Sequence, residues 1–242
     1  MRASVSLPVL MYHKVGAPVE RPADTFLNVP TEAFARQMRF LARRGYRAVT
    51  LADAIAGLAG RGPLPRRPLV VTFDDGYRCV EEHAAPVLSA LQWPATLYAP
   101  SAWVGRANEW NAQTGHPVLP LLDWDSLAAL QACGWEIGGH TRSHAHLERL
   151  TDDEAFHEVA GGLADLRERL GDRPRTFCYP FGGLAPTTPD QVRRAGFVAA
   201  CTTKSGLVRP HTDPFLLPRV KVAPRDGLVG LVYRLWIRPH LP

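Results

Sequence analysis

Two stretches of this 242-residue chain hold residue types that can build a catalytic metal site. One is Asp74-Asp75-Gly76, which ends the apolar run Leu69-Val70-Val71-Thr72-Phe73; the other is His140 and His144, which follow Trp135-Glu136-Ile137-Gly138-Gly139. Residues four apart lie on one face of a helical turn, so the two imidazoles can present their nitrogens to a single ion. Neutral imidazole is the commonest side-chain ligand for zinc and its neighbours. Two histidines and one carboxylate leave coordination positions open for water and substrate, which suits catalysis and not a closed structural site. His146 competes with His144 for the second position. Adjacent residues on a strand point to opposite faces, so Asp74 and Asp75 do not face each other like the glycosidase carboxyl pair, which stands roughly 5–9 Å apart. Where the strand bends into a turn they can divide the work, one on a metal and one on water. The competing reading is turn and capping chemistry for the acids, and surface or capping histidines for the pair.

These clusters need elements to carry them, and short apolar runs alternate with helical patterns along most of the chain. The pattern predicts strands at 5–12, 47–50, 69–73, 95–98, 135–138, 175–179 and 198–202. It predicts helices at 31–44, 51–58, 81–91, 125–133, 151–170 and 189–195. Thr151 with Glu154 forms a capping box, and Gly171 stands where that helix would stop. Strand and helix alternating some seven times argue for an α/β fold of parallel units, an open doubly wound sheet or a closed barrel, in one domain over 1–242. In both architectures sites form at the carboxyl ends of the strands. The acid cluster, the histidine cluster and a third stretch, Tyr179-Pro180-Phe181-Gly182-Gly183, all stand there and are expected to converge. The long segment 101–122, with Trp103, Trp110, Asn111 and His116, is expected to wall or cover the site.

Composition narrows the partners. The chain has 28 basic and 23 acidic residues, a net charge of +5, and its only lysines are Lys14, Lys204 and Lys221. The arginines are scattered, without the basic face or strip that a nucleic-acid binder collects. Cys79, Cys133, Cys178 and Cys201 form no C-x-x-C pair, so neither a thiolate zinc site nor a disulfide scaffold is expected. No window is apolar enough for a transmembrane helix, and the first residues read as a strand and not as a signal peptide. The chain as it stands is expected to be cytoplasmic, or exported or envelope-associated if a leader was removed; its oligomeric state is left open.

Thr72-Phe73-Asp74-Asp75-Gly76 followed, 65 residues on, by His140-Thr141-Arg142-Ser143-His144 resembles the signature pair of the polysaccharide deacetylase family (NodB homology, carbohydrate esterase family 4). The likeness extends from about Pro8 to Val222, through Val9-Leu10-Met11-Tyr12-His13, the Tyr179-Pro180-Phe181-Gly182 turn and Leu217-Pro218-Arg219-Val220-Lys221-Val222. It implies an irregular (β/α) barrel and a metal-dependent N-deacetylase of an amino-sugar polymer or glycoconjugate. By that resemblance Asp74 matches the general base, and Asp75, His140 and His144 the ligands of one divalent ion. Zinc is the first choice, with cobalt, nickel, manganese or iron as alternatives. Tyr179 and Phe181 match a groove wall in which a backbone N–H near Phe181 helps bind the oxyanion.

The chain departs from the pattern at Cys178, where the family's orienting arginine usually stands. It also lacks the Asp-x-x-Asp-Trp motif and the late Leu-x-His that supplies the general acid, since His240 stands almost at the end. Met11-Tyr12-His13 and Leu217-Pro218-Arg219 resemble instead the branch that includes poly-N-acetylglucosamine deacetylases. His13 is therefore the candidate acid and Arg219 the candidate orienting arginine. Trp103, Trp110 and Trp124 are candidates for stacking on sugar rings. Two alternatives accompany this reading: an amidase or esterase acting on a non-glycan acyl substrate, and a glycan-binding homologue with little catalysis.

Overall fold

A computed structural model describes residues 6–112, 115–224 and 226–237. The strands are β1 (Val9–Tyr12), β2 (Lys14–Val15), β3 (Asn28–Val29), β4 (Arg47–Ala48), β5 (Pro68–Phe73), β6 (Thr96–Ala99), β7 (Glu136–Gly139), β8 (Thr176–Cys178), β9 (Ala199–Ser205) and β10 (Leu217–Lys221). The helices are α1 (Thr31–Arg43), α2 (Leu51–Leu58), α3 (Ala85–Ala90), α4 (Trp124–Ala132), α5 (Asp152–Leu170), α6 (Thr188–Ala195) and α7 (Leu228–Val232). Seven strands pair in the order β1-β10-β9-β8-β7-β6-β5, and β5 returns to β1, so the sheet closes. All of these pairings are parallel. β4 adds only to the first residues of β5, pairing Arg47 with Pro68 and Ala48 with Leu69. The fold is therefore a seven-stranded (β/α) barrel, and closure selects between the two architectures that alternation left open.

Each strand expected from the pattern is present, with bounds that shift: those expected at 5–12, 47–50 and 175–179 are shorter, and those expected at 69–73 and 198–202 run longer, as Pro68–Phe73 and Ala199–Ser205. Of the first, residues 9–12 form β1, Leu7 makes an antiparallel bridge to Val208, and Val5 lies outside the described residues. The helix expected at 81–91 is instead a π-helical turn, Val80–Ala84, running into α3. Pro86 explains the change, because it has no N–H for the ladder and its ring crowds the carbonyl four residues earlier. The pattern missed β10. Pro218 cannot donate to the ladder, and the β9–β10 register slips between Leu217 and Arg219. That bulge sits where bulges commonly re-aim a side chain, and here it sends Arg219 into the barrel with no exposed surface.

The bottom of the barrel is closed by polar groups that satisfy one another. Glu136, buried on β7, accepts from Ala52 N–H at 3.0 Å and from the hydroxyls of Thr96 at 3.2 Å and Thr176 at 2.9 Å. Leu51 N–H donates to Thr96 Oγ1, so the first turn of α2 is docked onto this network. Burial nevertheless raises the Glu136 pKa. The opposite, carboxyl-terminal end of the barrel is open, and the chemistry collects there.

Candidate active site

Asp74 and Asp75 leave β5 as the chain turns, with Asp75 at φ 73° and Gly76 at φ 74°. Two successive left-handed residues swing the second carboxylate round, so both acids line one cleft of about 1140 Å³ although they follow each other in sequence. Gly76 tolerates this backbone freely; Asp75, with a short polar side chain, is among the residues that adopt it most readily.

Asp75 meets the histidines. Its Oδ1 lies 3.2 Å from His140 Nε2 and 3.2 Å from His144 Nε2, and one ligand atom from each residue falls within 4.8 Å of the others. His140 Nδ1 lies 2.7 Å from the Cys178 carbonyl, which can only accept, so Nδ1 holds the proton and Nε2 presents its lone pair. Lone pair and carboxylate thus converge on one point, a donor set suited to a divalent cation. His144 Nδ1 is buried and has no partner among the described residues, so what meets its Nε2 decides its tautomer. Burial would raise the Asp75 pKa, but the His140 and His144 imidazoles set against it, with His13 nearby, hold it well below the usual carboxylate range. Burial lowers the His144 pKa despite Asp75, which favours the neutral, ligating imidazole. His146 stands apart from this set, bonded to Glu148 and stacked on Phe181, so the geometry selects His144 over it.

The histidine loop is held from behind by α5. Glu158 accepts from Arg142 N–H at 3.0 Å, Ser143 N–H at 2.8 Å and the Ser143 hydroxyl at 2.9 Å. Arg142 Nε donates to Asp165 at 3.0 Å. Thr141 and His144 both adopt positive φ, 62° and 63°, a strained conformation for a β-branched threonine that such clamps make tenable. Gly162 is what lets α5 come so close, since a Cβ there would stand 2.8 Å from the Thr141 carbonyl oxygen. A glycine inside an otherwise regular helix was the available sequence signal. Gly162→Ala must push the loop outward. Because shifts behind a ligand typically weaken a metal site by about 10- to 100-fold, we expect that loss, read by chelator competition.

Asp74 meets different partners. Arg219 Nη1 and Nη2 each donate to one Asp74 oxygen at 2.7 Å. Its other donors reach Thr202 O at 2.9 Å, Thr72 Oγ1 at 3.0 Å and Cys178 Sγ at 3.1 Å, so all five guanidinium N–H groups are engaged. Cys178 is small enough to leave this space, and an arginine from β10 fills it. Burial would raise the Asp74 pKa; the Arg219 charge, with His13, outweighs it and keeps Asp74 ionised below the ordinary range. His13 Nε2 lies 3.7 Å from Asp74 Oδ2. Burial depresses the His13 pKa, with the Asp74 and Asp75 charges opposing the shift.

The remaining candidates divide. Phe181, 51% exposed and at φ 57°, lines the cleft, and its N–H has no hydrogen-bond partner among the described residues. Tyr179 also lines the cleft, but its phenol donates to the Phe215 carbonyl at 2.9 Å and is spent there. Trp110 stacks on His144, with ring centroids 4.3 Å apart, and lines the cleft. Trp103 packs edge-on against Trp110 and bonds the Ser143 carbonyl. Trp124 corrects the expectation that it stacks on sugars: it opens α4, lies under Arg169 and is not in the cleft wall. Tyr77 was missed by the sequence reading. It lines the cleft, its hydroxyl accepts from buried Asn108 at 3.0 Å, and burial together with the Asp75 charge holds its pKa well above the ordinary value.

A parallel barrel with an Asp-His-His set at its carboxyl-terminal mouth has the donor set of a catalytic metal site. The family model for polysaccharide deacetylase matches residues 61–200, more than half of the chain, and the chain belongs to that family. The structure is similar to that of IcaB from Ammonifex degensii, with TM-score 0.77, 32% identity, and coverage of 90% of this chain and 92% of that one. It also shares its fold with the Streptococcus pyogenes deacetylase PplD, with TM-score 0.82, 21% identity, and coverage of 96% and 99%. The poly-beta-1,6-N-acetyl-D-glucosamine N-deacetylase of Escherichia coli K12 is 24% identical over 240 residues; the match takes in 86% of this chain and 36% of that protein's length. Among the described residues no helix is long and apolar enough to cross a membrane.

Proposed function

We propose that the protein is a metal-dependent deacetylase that hydrolyses the N-acetyl group of an amino-sugar polymer or glycoconjugate, releasing acetate and a free amine. The observation that carries this reading is the pairing of two adjacent acids with different neighbours in one cleft. Asp75 faces two imidazoles, while Asp74 is held ionised by Arg219 and left free of the ligand set. Asp75, His140 and His144 would hold one divalent ion, for which zinc is our first choice. Such an ion supplies Lewis acidity, acidifying water and polarising a carbonyl.

The protein's own residues do the rest. Asp74 takes the proton from the attacking water, as a general base whose orientation Arg219 fixes through two parallel hydrogen bonds. The carbonyl oxygen gains negative charge as water adds, and the unpaired Phe181 N–H stands in the cleft wall as a donor for it. His13 rests neutral near pH 7 because its pKa is depressed. It stands 3.7 Å from Asp74 Oδ2, a gap that one bridging water or a small closure on substrate spans, so it accepts the proton from Asp74 and delivers it to the departing amine. Trp110 and Phe181 offer apolar faces on which a sugar ring can lie.

The test is acetate release from N-acetylglucosamine oligomers, β-1,6-linked ones included, by metal-stripped and zinc-reconstituted protein. Activity should vanish on stripping and return with the ion. Acetate from small acylated amines or esters but not from oligomers would favour the non-glycan amidase, and no acetate from either would favour the weakly catalytic homologue.

A further inference from the structure

Building on the reading that the cleft takes an acetylated amino sugar, we propose that Lys14 forms an oxyanion subsite in it, so that the preferred glycan carries a carboxylate or phosphate next to the sugar that is deacetylated. Lys14 is 2% exposed, sits on β2 and lines the cleft. Its ammonium stands 5.7 Å over the Tyr77 ring, and among the described residues it has no hydrogen-bond acceptor and no ion-pair partner. Buried charges are normally paired, because an uncompensated one is strongly unfavourable. Arg219, buried as deeply inside the barrel, has every donor satisfied.

The surroundings of Lys14 point to an anion. Lys221 lines the same cleft from β10, whose register sets it beside Met11 of β1, and it too has no acidic partner among the described residues. Arg234 adds a third cation to the lining but is tied to Asp226. The acids of the cleft, Asp74 and Asp75, are committed to Arg219 and to the two histidines. The uncommitted charges in the lining are therefore positive. An ammonium offers three donors and no acceptor, so a neutral hydroxyl would leave its charge unbalanced, whereas a carboxylate or phosphate oxygen answers both needs. The aromatic faces of Trp110 and Phe181 line the same cleft and leave room for the sugar itself.

The test is binding by calorimetry, with three oligomers of N-acetylglucosamine of equal length: unmodified, oxidised at C6 to a carboxylate, and phosphorylated at C6. The charged oligomers should bind about tenfold more tightly than the neutral one, a difference of about 1.4 kcal/mol. The carboxylate and phosphate arms tell which oxyanion is preferred. That ratio should fall to about one in Lys14→Met and by roughly threefold in Lys221→Gln, and should shrink in about 0.5 M salt, which screens partly exposed charge. Equal binding of all three oligomers, or a preference that survives both variants, overturns the proposal. If Lys14→Met fails to fold, the exposed Lys221→Gln variant and the salt series on the unaltered protein decide it. Acetate release from the neutral oligomer reports separately on the deacetylase reading. Equal binding with turnover removes only the subsite, and an anion preference without turnover removes only the deacetylase.

Discussion

Asp74→Asn is expected to lower acetate release by about a thousandfold while leaving metal binding in place. The amide can still accept one hydrogen bond from Arg219, so the side chain stays where it is. It cannot take a proton, and removal of a general base typically costs about 10²- to 10⁴-fold. Asp75, His140 and His144 make their contacts without Asp74, which is why metal content should persist. Progress curves for acetate, with metal analysis of the same sample, check both halves of this prediction.

Arg219→Met should have the largest effect on stability. It leaves Asp74 buried without its counter-ion, and breaking a buried pair from one side costs about 3–5 kcal/mol. At about 2–4 °C per kcal/mol for a chain of this size, the melting temperature should fall by roughly 6–20 °C near neutral pH. The pH dependence should also change direction. In the intact protein Asp74 has a folded pKa below its unfolded value, so its pair contributes stability above the unfolded carboxylate pKa and loses it as pH falls through the folded one. Without Arg219, burial dominates and raises that pKa. The contribution is then present at low pH and lost as pH rises through the raised value. Melts of the variant at pH 5 and pH 8 should therefore favour pH 5, and the acid limb of its activity profile should move to higher pH.

Much of the site was legible because strand ends carry it. The apolar run into Asp74-Asp75 and the Trp135–Gly139 approach to His140 mark strands by their composition, and parallel topology brings their ends together. What remained hidden depends on burial of charge and on backbone turns. Leu217-Pro218-Arg219-Val220-Lys221 reads as a broken, charged segment; it is a barrel strand because a bulge at Pro218 absorbs the irregularity and Asp74 neutralises Arg219. Only the family likeness drew attention to it. Lys14 follows His13 with nothing in its sequence neighbours to show that the fold buries it. The choice of His144 over His146 rests on the positive φ at Thr141 and His144, which residue spacing does not reveal. Trp124 was misassigned because an aromatic residue beside a long loop looks the same whether it faces a cleft or a helix end.

The division of labour between the two adjacent acids is the central claim, and metal content and acetate release measured together on Asp74→Asn and His140→Ala test it most directly. Asp74→Asn is expected to bind one ion per chain as the unaltered protein does and to turn over about a thousandfold more slowly, whereas His140→Ala should lose the ion and the activity together. Full activity in either variant, or an Asp74→Asn protein that no longer holds the ion, would contradict it.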